Sequence, residues 1–462
     1  MIKTAGSFVS ILPLLLFVGV FLGFGIYNDD FYTLPSPIAS LAGIVAAFFV
    51  LKGSINTKVD TFLEGCGDSK ILTMCIIYLL AGAFATVSKA TGSVDAIVNL
   101  GLNYISTSYF PMGIFVIASF LSFASGTSVG SIVTLGPIVI ELAEKSGSPL
   151  GLIGAALLSG AMFGDNLSVI SDTTIAATQS LGCEMKDKFR ANFKLALPAA
   201  IIAIIILLVI GFNQESTNMV MEHKDFDLVL IFPYLLVIAL SIIGLNVFVT
   251  LFAGLLFAGI LGISKGIFGI MDFANNTYEG FTEMTEIFLL SLLTGGLAAL
   301  VEKAGGINYL LRNINRIIHS KKTALLGIAG LVSVANLCVA NNTIAILISG
   351  KVSKEITDKY GLKAPETASI LDIFACYVQG LIPYGAQILI LISLSHFKLG
   401  YLELVMNSFY LHLLFGYHFN FNICSQENCL TFPLINKKFN GYKKYYFRLW
   451  RCGDGLESAL LF

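Results

Sequence analysis

Gly164-Asp165-Asn166-Leu167-Ser168-Val169-Ile170-Ser171-Asp172-Thr173-Thr174 sets two carboxylates, one amide and four hydroxyls between the apolar runs 155–163 and 175–177. The surroundings make this stretch decisive. Of 462 residues, 56% are hydrophobic and 12% charged, against roughly 25% charged in soluble domains. Mean hydropathy is +0.83 and net charge is −1. About twelve spans of ~20 residues would take up ~240 positions, more than half the chain. The composition is that of a polytopic membrane protein; it leaves no basic footprint for nucleic acid and excludes a soluble enzyme. An intramembrane carboxylate costs at least ~2.5–3.5 kcal/mol on insertion scales, so it is retained for function or paired. Burial favours its neutral form, and the same group ringed by hydroxyl, amide and freed backbone oxygens offers hard ligands to a small cation. One site that takes either a proton or a cation is what exchange coupling requires. The plainer alternative is that Asp165 and Asp172 cap helices at the membrane edge; the flanking apolar runs argue against an edge.

Outward from this motif, apolar stretches fall near 8–27, 35–51, 70–88, 110–124, 131–143, 150–164, 173–182, 195–212, 227–244, 246–263, 286–301, 323–339, 343–350, 366–380, 383–397 and 399–415. The first follows Lys3, is too long for a signal-peptide core and is expected to remain as a span. Several others are too short for a ~30 Å hydrocarbon core. The short ones gather around Ser125-Gly126-Thr127-Ser128, Gly164-Asp165-Asn166, Ala340-Asn341-Asn342-Thr343 and Ile382-Pro383-Tyr384-Gly385. Backbone freed from a helix cannot face lipid, so such breaks must be buried in protein or line an aqueous cavity. The expected architecture is all-α, with re-entrant hairpins and discontinuous helices.

The two halves also resemble each other. Leu80-Ala81-Gly82 and the following 89–95 realign 213 residues later on Leu293-Thr294-Gly295 and 302–308. Ser122-Phe123-Ala124-Ser125 matches Ser333-Val334-Ala335-Asn336 at an offset of 211, and 164–174 falls on 377–387. Three ordered matches at nearly one offset indicate an internal repeat. Charge bias orients the copies. Lys186, Lys188, Arg190 and Lys194 mark the loop 181–194 as cytoplasmic, whereas Glu215, Glu222, Asp225 and Asp227 mark 213–227 as external. Counting spans from both ends places 89–108 and 302–322 on opposite sides, with the N-terminus cytoplasmic. Inverted repeats with breaks near the midplane are the pattern of secondary transporters. The expected division is N-terminal spans 1–64, transport repeat 65–212, connecting spans 213–285, inverted repeat 286–415 and a basic tail 416–462. The tail holds Trp450, Cys424, Cys429 and Cys452. Both a lipid-attracted cytoplasmic tail and an aberrant end fit it.

The run Gly164-Asp165-Asn166-Leu167-Ser168 … Ser171-Asp172-Thr173-Thr174 resembles the GD-x-x-S-x-x-SDTT signature of the NhaC family of Na⁺/H⁺ antiporters. Gly126-Thr127-Ser128-Val129-Gly130-Ser131 is similar to that family's GTS-x-G hairpin, and Ile382-Pro383-Tyr384-Gly385 to the proline-bearing break of its second repeat. The resemblance spans residues 8 to 415. It implies Na⁺/H⁺ exchange by alternating access, with Asp165, Ser168, Ser171, Asp172, Thr173 and Thr174 handling the cation or proton; Asn166, inside the same run, is counted with them as a candidate ligand. Asp172 is the expected titrating carboxylate and Asp165 its partner on Na⁺. Asn166 departs from the family, where a basic residue often stands. Gly126, Thr127 and Ser128 would form the first hairpin tip; Asn336, Asn341, Asn342 and Thr343 would supply the second by symmetry. Gln379, Gln387 and Pro383 would line the site, although interhelical hydrogen bonding explains such amides equally well. Family relatives also exchange malate and lactate, so a coupled transporter of an organic anion or amino acid is the alternative. With no cationic residue evident beside the motif, inorganic ions are preferred.

Neither H-E-x-x-H nor GxxxxGK[ST] occurs in the chain, so neither a metallopeptidase nor an ATP-binding loop is indicated. A passive channel suits titratable breaks and inverted symmetry less well. No enzyme activity and no resident cofactor are expected; Na⁺ and H⁺ are cargo. The expected setting is the plasma membrane, with the bilayer and a small cation or organic solute as partners and a homodimer as the assembly.

Overall fold

The computed structural model describes residues 6–28, 34–169, 171–213, 226–306, 309, 312–313 and 318–418. The tail 419–462, Asp29 and Asp30, and the acidic loop 214–225 lie outside the described residues, as do Lys3, His223, Ile170 and Arg316. Helices and short 3₁₀ turns account for the regular structure of what is described, without strands. Among the described residues, seven spans have the length and hydropathy to cross a bilayer, alongside three shorter apolar helices, Leu12–Tyr27, Ser36–Val50 and Leu228–Ile242. Other helices that meet at the polar turns range from the 9-residue Ala386–Leu394 to the 19-residue Ser128–Ser146 and Asn342–Tyr360.

The first half runs α1 (Leu12–Tyr27), α2 (Ser36–Val50), α3 (Ile55–Cys66), α4 (Ser69–Ala90), α5 (Ser93–Tyr104), α6 (Phe110–Ser125), α7 (Ser128–Ser146), α8 (Leu150–Leu167), α9 (Asp172–Leu181) and α10 (Met185–Asn213). The second continues with α11 (Phe232–Ile242), α12 (Val247–Ser264), α13 (Ile270–Glu283), α14 (Thr285–Lys303), α15 (Lys321–Val339), α16 (Asn342–Tyr360), α17 (Ala364–Gln379), α18 (Ala386–Leu394), α19 (Tyr401–Met406) and α20 (Phe409–His418). Helix α4 packs with α12, α13 and α14, and α14 with α2 and α3. A second group gathers α6 to α10 with α15 to α18 and α20. Close packing uses small residues, as lipid-embedded helices require. A Cβ on Gly160 would meet the Phe115 carbonyl oxygen at 2.3 Å, and one on Gly164 would meet the Ser119 carbonyl oxygen at 2.3 Å, so α6 and α8 touch backbone to backbone.

Two of the four turns have one geometry. Helix α6 ends at Gly126, with φ 73° and ψ 22°, and Thr127 caps α7 by accepting from the Gly130 amide at 3.2 Å. Helix α15 ends at Ala340, with φ 49° and ψ 29°, and Asn341 caps α16 by accepting from the Ile344 amide at 3.0 Å. Ser122 Oγ donates to the Ala161 carbonyl at 2.6 Å; Asn336 Nδ2 donates to the Ala375 carbonyl at 2.7 Å. The offsets 340−126, 336−122 and 375−161 all equal 214. The register at this hairpin is therefore 214, not the 211 suggested by the Ser and Ala letters. The turn and its hydrogen bond set it, and Ser122 pairs with Asn336.

Of the other two turns, one differs from expectation and one matches it. Helix α8 continues through Gly164, Asp165 and Asn166, so the break is 168–171. The second break spans 380–385 and contains Pro383.

Candidate functional site

All four turns converge where α7, α9 and α18 begin and α8 and α17 end. Asp165 sits in the last turn of α8, 4% exposed. Its Oδ2 accepts from Ser128 Oγ at 2.7 Å and from the Ser128 amide at 3.3 Å; its Oδ1 accepts from Ser171 Oγ. Ser128 opens α7, and Ser171 is the N-cap of α9. The carboxylate thus faces the N-termini of two helices, whose free amides and dipoles favour negative charge. Ser171 Oγ also pairs with Thr173 Oγ1 at 2.9 Å.

From Ser128 the network crosses into the second half. Gln387 Nε2, in the first turn of α18, donates to Ser128 Oγ at 3.1 Å. Gln379 Nε2, at the end of α17, donates to Gln387 Oε1 at 3.0 Å and to the Ala340 carbonyl at 3.1 Å. One chain of bonds therefore links Asp165 to the turn at Ala340. On that side lies a cavity of about 50 Å³ bordered by Asn341, Asn342, Gln379, Gln387, Thr294 and Tyr384. Asn342 approaches Cys376 through its side chain, while Thr343 is half-buried beside it. Pro383 is buried in the 380–385 turn.

Behind Asp165 stands a second buried cluster. Lys188, 1% exposed, donates from Nζ to Asp372 Oδ2 at 2.7 Å, Thr174 Oγ1 at 2.6 Å and the Asn166 carbonyl at 3.3 Å. Asn192 Nδ2 bonds the same Asp372 oxygen and the same Asn166 carbonyl, each at 2.7 Å. Thr174 Oγ1 donates onward to the Ser168 carbonyl at 2.7 Å, and Asn166 Nδ2 reaches Tyr410 Oη at 3.2 Å.

Of the motif residues, Asp165, Asn166, Ser168, Ser171, Thr173 and Thr174 are brought together and buried. Asp172 is not. In the first turn of α9 its side chain is exposed, because the helical rotation that buries Thr173 and Thr174 turns Asp172 outward. The charge reading of 181–194 also changes: Lys186, Arg190 and Lys194 are exposed, but Lys188 is enclosed on α10. A cation therefore does stand beside the motif, contrary to expectation. Sequence reasoning missed Lys188, Asn192 and Asp372. Asp372 interrupts the apolar run 366–380, and Lys188 and Asn192 are four apart, on one helical face; both signals were present.

The sequence profile of the Na⁺/H⁺ antiporter family matches residues 3–212 and 226–400. The chain belongs to this family. Among similar proteins is a protein of Bacillus subtilis named "Malate-2H(+)/Na(+)-lactate antiporter", 24% identical over 411 residues, covering 81% of this chain and 87% of that one. Another from the same organism, "Na(+)/H(+) antiporter NhaC", is 25% identical over 352 residues, 70% of this chain and 77% of its own. The solved structure of the YdaH transporter of Alcanivorax borkumensis aligns with 88% of this antiporter-family chain and 96% of its own, at a TM-score of 0.42 and 13% identity. The antiporter-family match and the apolar spans make the chain a multi-pass membrane protein that moves small solutes.

Proposed function

We propose that the protein exchanges Na⁺ for H⁺ across the plasma membrane, with Asp165 as the carboxylate that both ions share. The observation that carries this is the bonding of Asp165 to the hydroxyls of Ser128 and Ser171. A hydroxyl donates its hydrogen to a bare carboxylate, yet turns a lone pair toward a cation when one enters. Ser128, Ser171 and Thr173 would then contribute oxygens beside the Asp165 carboxylate. A proton on Asp165 removes the charge that holds the cation, so the two compete. Asp172 moves to an outer role, since its side chain is exposed. The hairpins at Gly126-Thr127-Ser128 and Ala340-Asn341-Asn342 would rock as inverted copies about this point, the N-terminus inside. Domain limits at 65–212 and 286–415, and a homodimeric assembly, belong to the same reading.

The organic-anion reading draws support from Lys188, the buried cation beside the motif, and from the malate and lactate named for one relative. Against it, Lys188 is already engaged by Asp372, Thr174 and the Asn166 carbonyl, which leaves it no free hydrogen for a carboxylate substrate. The test is a fluorescent proton probe in inside-out vesicles. Na⁺ alone dequenches the probe with the wild-type protein and with Asp172→Asn, and fails to with Asp165→Asn. Dequenching that requires malate, lactate or an amino acid would replace this reading with the alternative. Loss with Asp172→Asn and survival with Asp165→Asn would return the exchanging role to Asp172.

A further inference from the structure

The Lys188 ammonium has the surroundings of a bound ion. Three oxygens of different origin receive it: a carboxylate at 2.7 Å, a hydroxyl at 2.6 Å and a backbone carbonyl at 3.3 Å. The carbonyl is that of Asn166, near the open C-terminal end of α8, where the helix dipole is negative. All three ammonium hydrogens are thus used, and the nitrogen is enclosed. Two further buried oxygens, Asn166 Oδ1 and Asn192 Oδ1, have no partner among the described residues. Four helices contribute: α8 gives Asn166, α9 Thr174, α10 Lys188 and Asn192, and α17 Asp372. Nothing in the exchange reading uses Lys188, Asn192 or Asp372.

We infer that Asp372, Thr174 and the Asn166 carbonyl form a second monovalent-cation seat, and that Lys188 is its tethered occupant. The spacing suits an ammonium-sized ion such as NH₄⁺, K⁺ or Rb⁺. The tether holds Asp372 neutralised, so a second intramembrane carboxylate does not compete for the transported ion. The inference adds to the reading of Asp165 as the exchanging group and is tested separately from it.

The experiment is equilibrium binding of ⁸⁶Rb⁺ to the purified full-length protein in detergent, with folding followed by size exclusion and thermal unfolding. Lys188→Ala gains one Rb⁺ per chain over its parent, and Lys188→Ala/Asp372→Asn loses that gain. Made in the Asp165→Asn background, the gain persists, so it stands whether or not Asp165 exchanges Na⁺. Lys188→Ala also unfolds at a higher temperature in RbCl than in choline chloride, a difference absent from the wild type. A folded Lys188→Ala that binds no more Rb⁺ than its parent would overturn the proposal. So would collapse of Lys188→Ala in RbCl and choline alike while Lys188→Ala/Asp372→Asn folds in both, because the cage would then admit no free ion.

Discussion

At Asp165, two hydroxyl hydrogens and a backbone amide from two different helices satisfy one buried carboxylate. A hydrogen bond to a charged group contributes about 1.5–3 kcal/mol, and each ~1.4 kcal/mol is tenfold in binding. Ser128→Ala removes one such hydroxyl and the anchor of Gln387; Ser171→Ala removes the other. Each should raise the Na⁺ concentration for half-maximal exchange by about ten- to a hundredfold, with expression unchanged, as read from vesicle dequenching titrations. The motif letters alone announced a charged break, because two aspartates and four hydroxyls cannot be left in lipid. They left open which aspartate is enclosed. Asp165 and Asp172 lie on either side of a turn, and only the exit angle of α9 buries Thr173 and Thr174 while exposing Asp172.

Each hairpin is held at the scale of the helix by a left-handed residue, an N-cap and one long-range bond to a facing carbonyl. Glycine, which has no Cβ, takes the left-handed position in the first at no steric cost; in the second Ala340 takes it, which residues with a Cβ seldom do. Ala340→Gly should therefore be tolerated or stabilising by a few tenths of a kcal/mol to about 1 kcal/mol in thermal unfolding. The opposite is expected where α6 and α8 meet. A methyl on Gly164 would lie 2.3 Å from the Ser119 carbonyl oxygen and 2.6 Å from the Phe123 amide nitrogen, and backbone cannot rotate away. Gly164→Ala should cost at least the ~1–3 kcal/mol of an overpacked core and lower both the unfolding temperature and the folded yield. Because Gly164 precedes Asp165 on α8, it should also shift the Na⁺ affinity. Break positions were legible from polar letters in apolar runs to within a few residues. The match between the two hairpins was not, since Ser, Ala and Gly recur by chance and its 214-residue offset shows in the hydrogen bonds at 122/161 and 336/375.

Across the whole molecule, the polar links between the halves include Ser128–Gln387 and Lys188–Asp372, set among α7, α9, α10, α17 and α18. Breaking a buried ion pair from one side costs about 3–5 kcal/mol, whereas replacing both partners by apolar residues of similar volume is close to neutral. Asp372→Leu alone should therefore unfold well below the wild type, and Lys188→Met/Asp372→Leu should recover most of the loss, in thermal unfolding in detergent. The sequence by itself determined that this chain lives in a bilayer, that its helices are broken at four polar points, and that one break carries two carboxylates and four hydroxyls. Those conclusions follow from the local cost of taking charge and free backbone out of water, which any window of residues already contains. Only the tertiary structure decided that Asp165 is the enclosed carboxylate of the motif, that Lys188 leaves its run of basic neighbours to neutralise Asp372, and that Gln387 hands one half's break to the other. Lys188 and Asp372 are 184 residues apart, and burial at that separation depends on how whole helices cross, which no local pattern encodes.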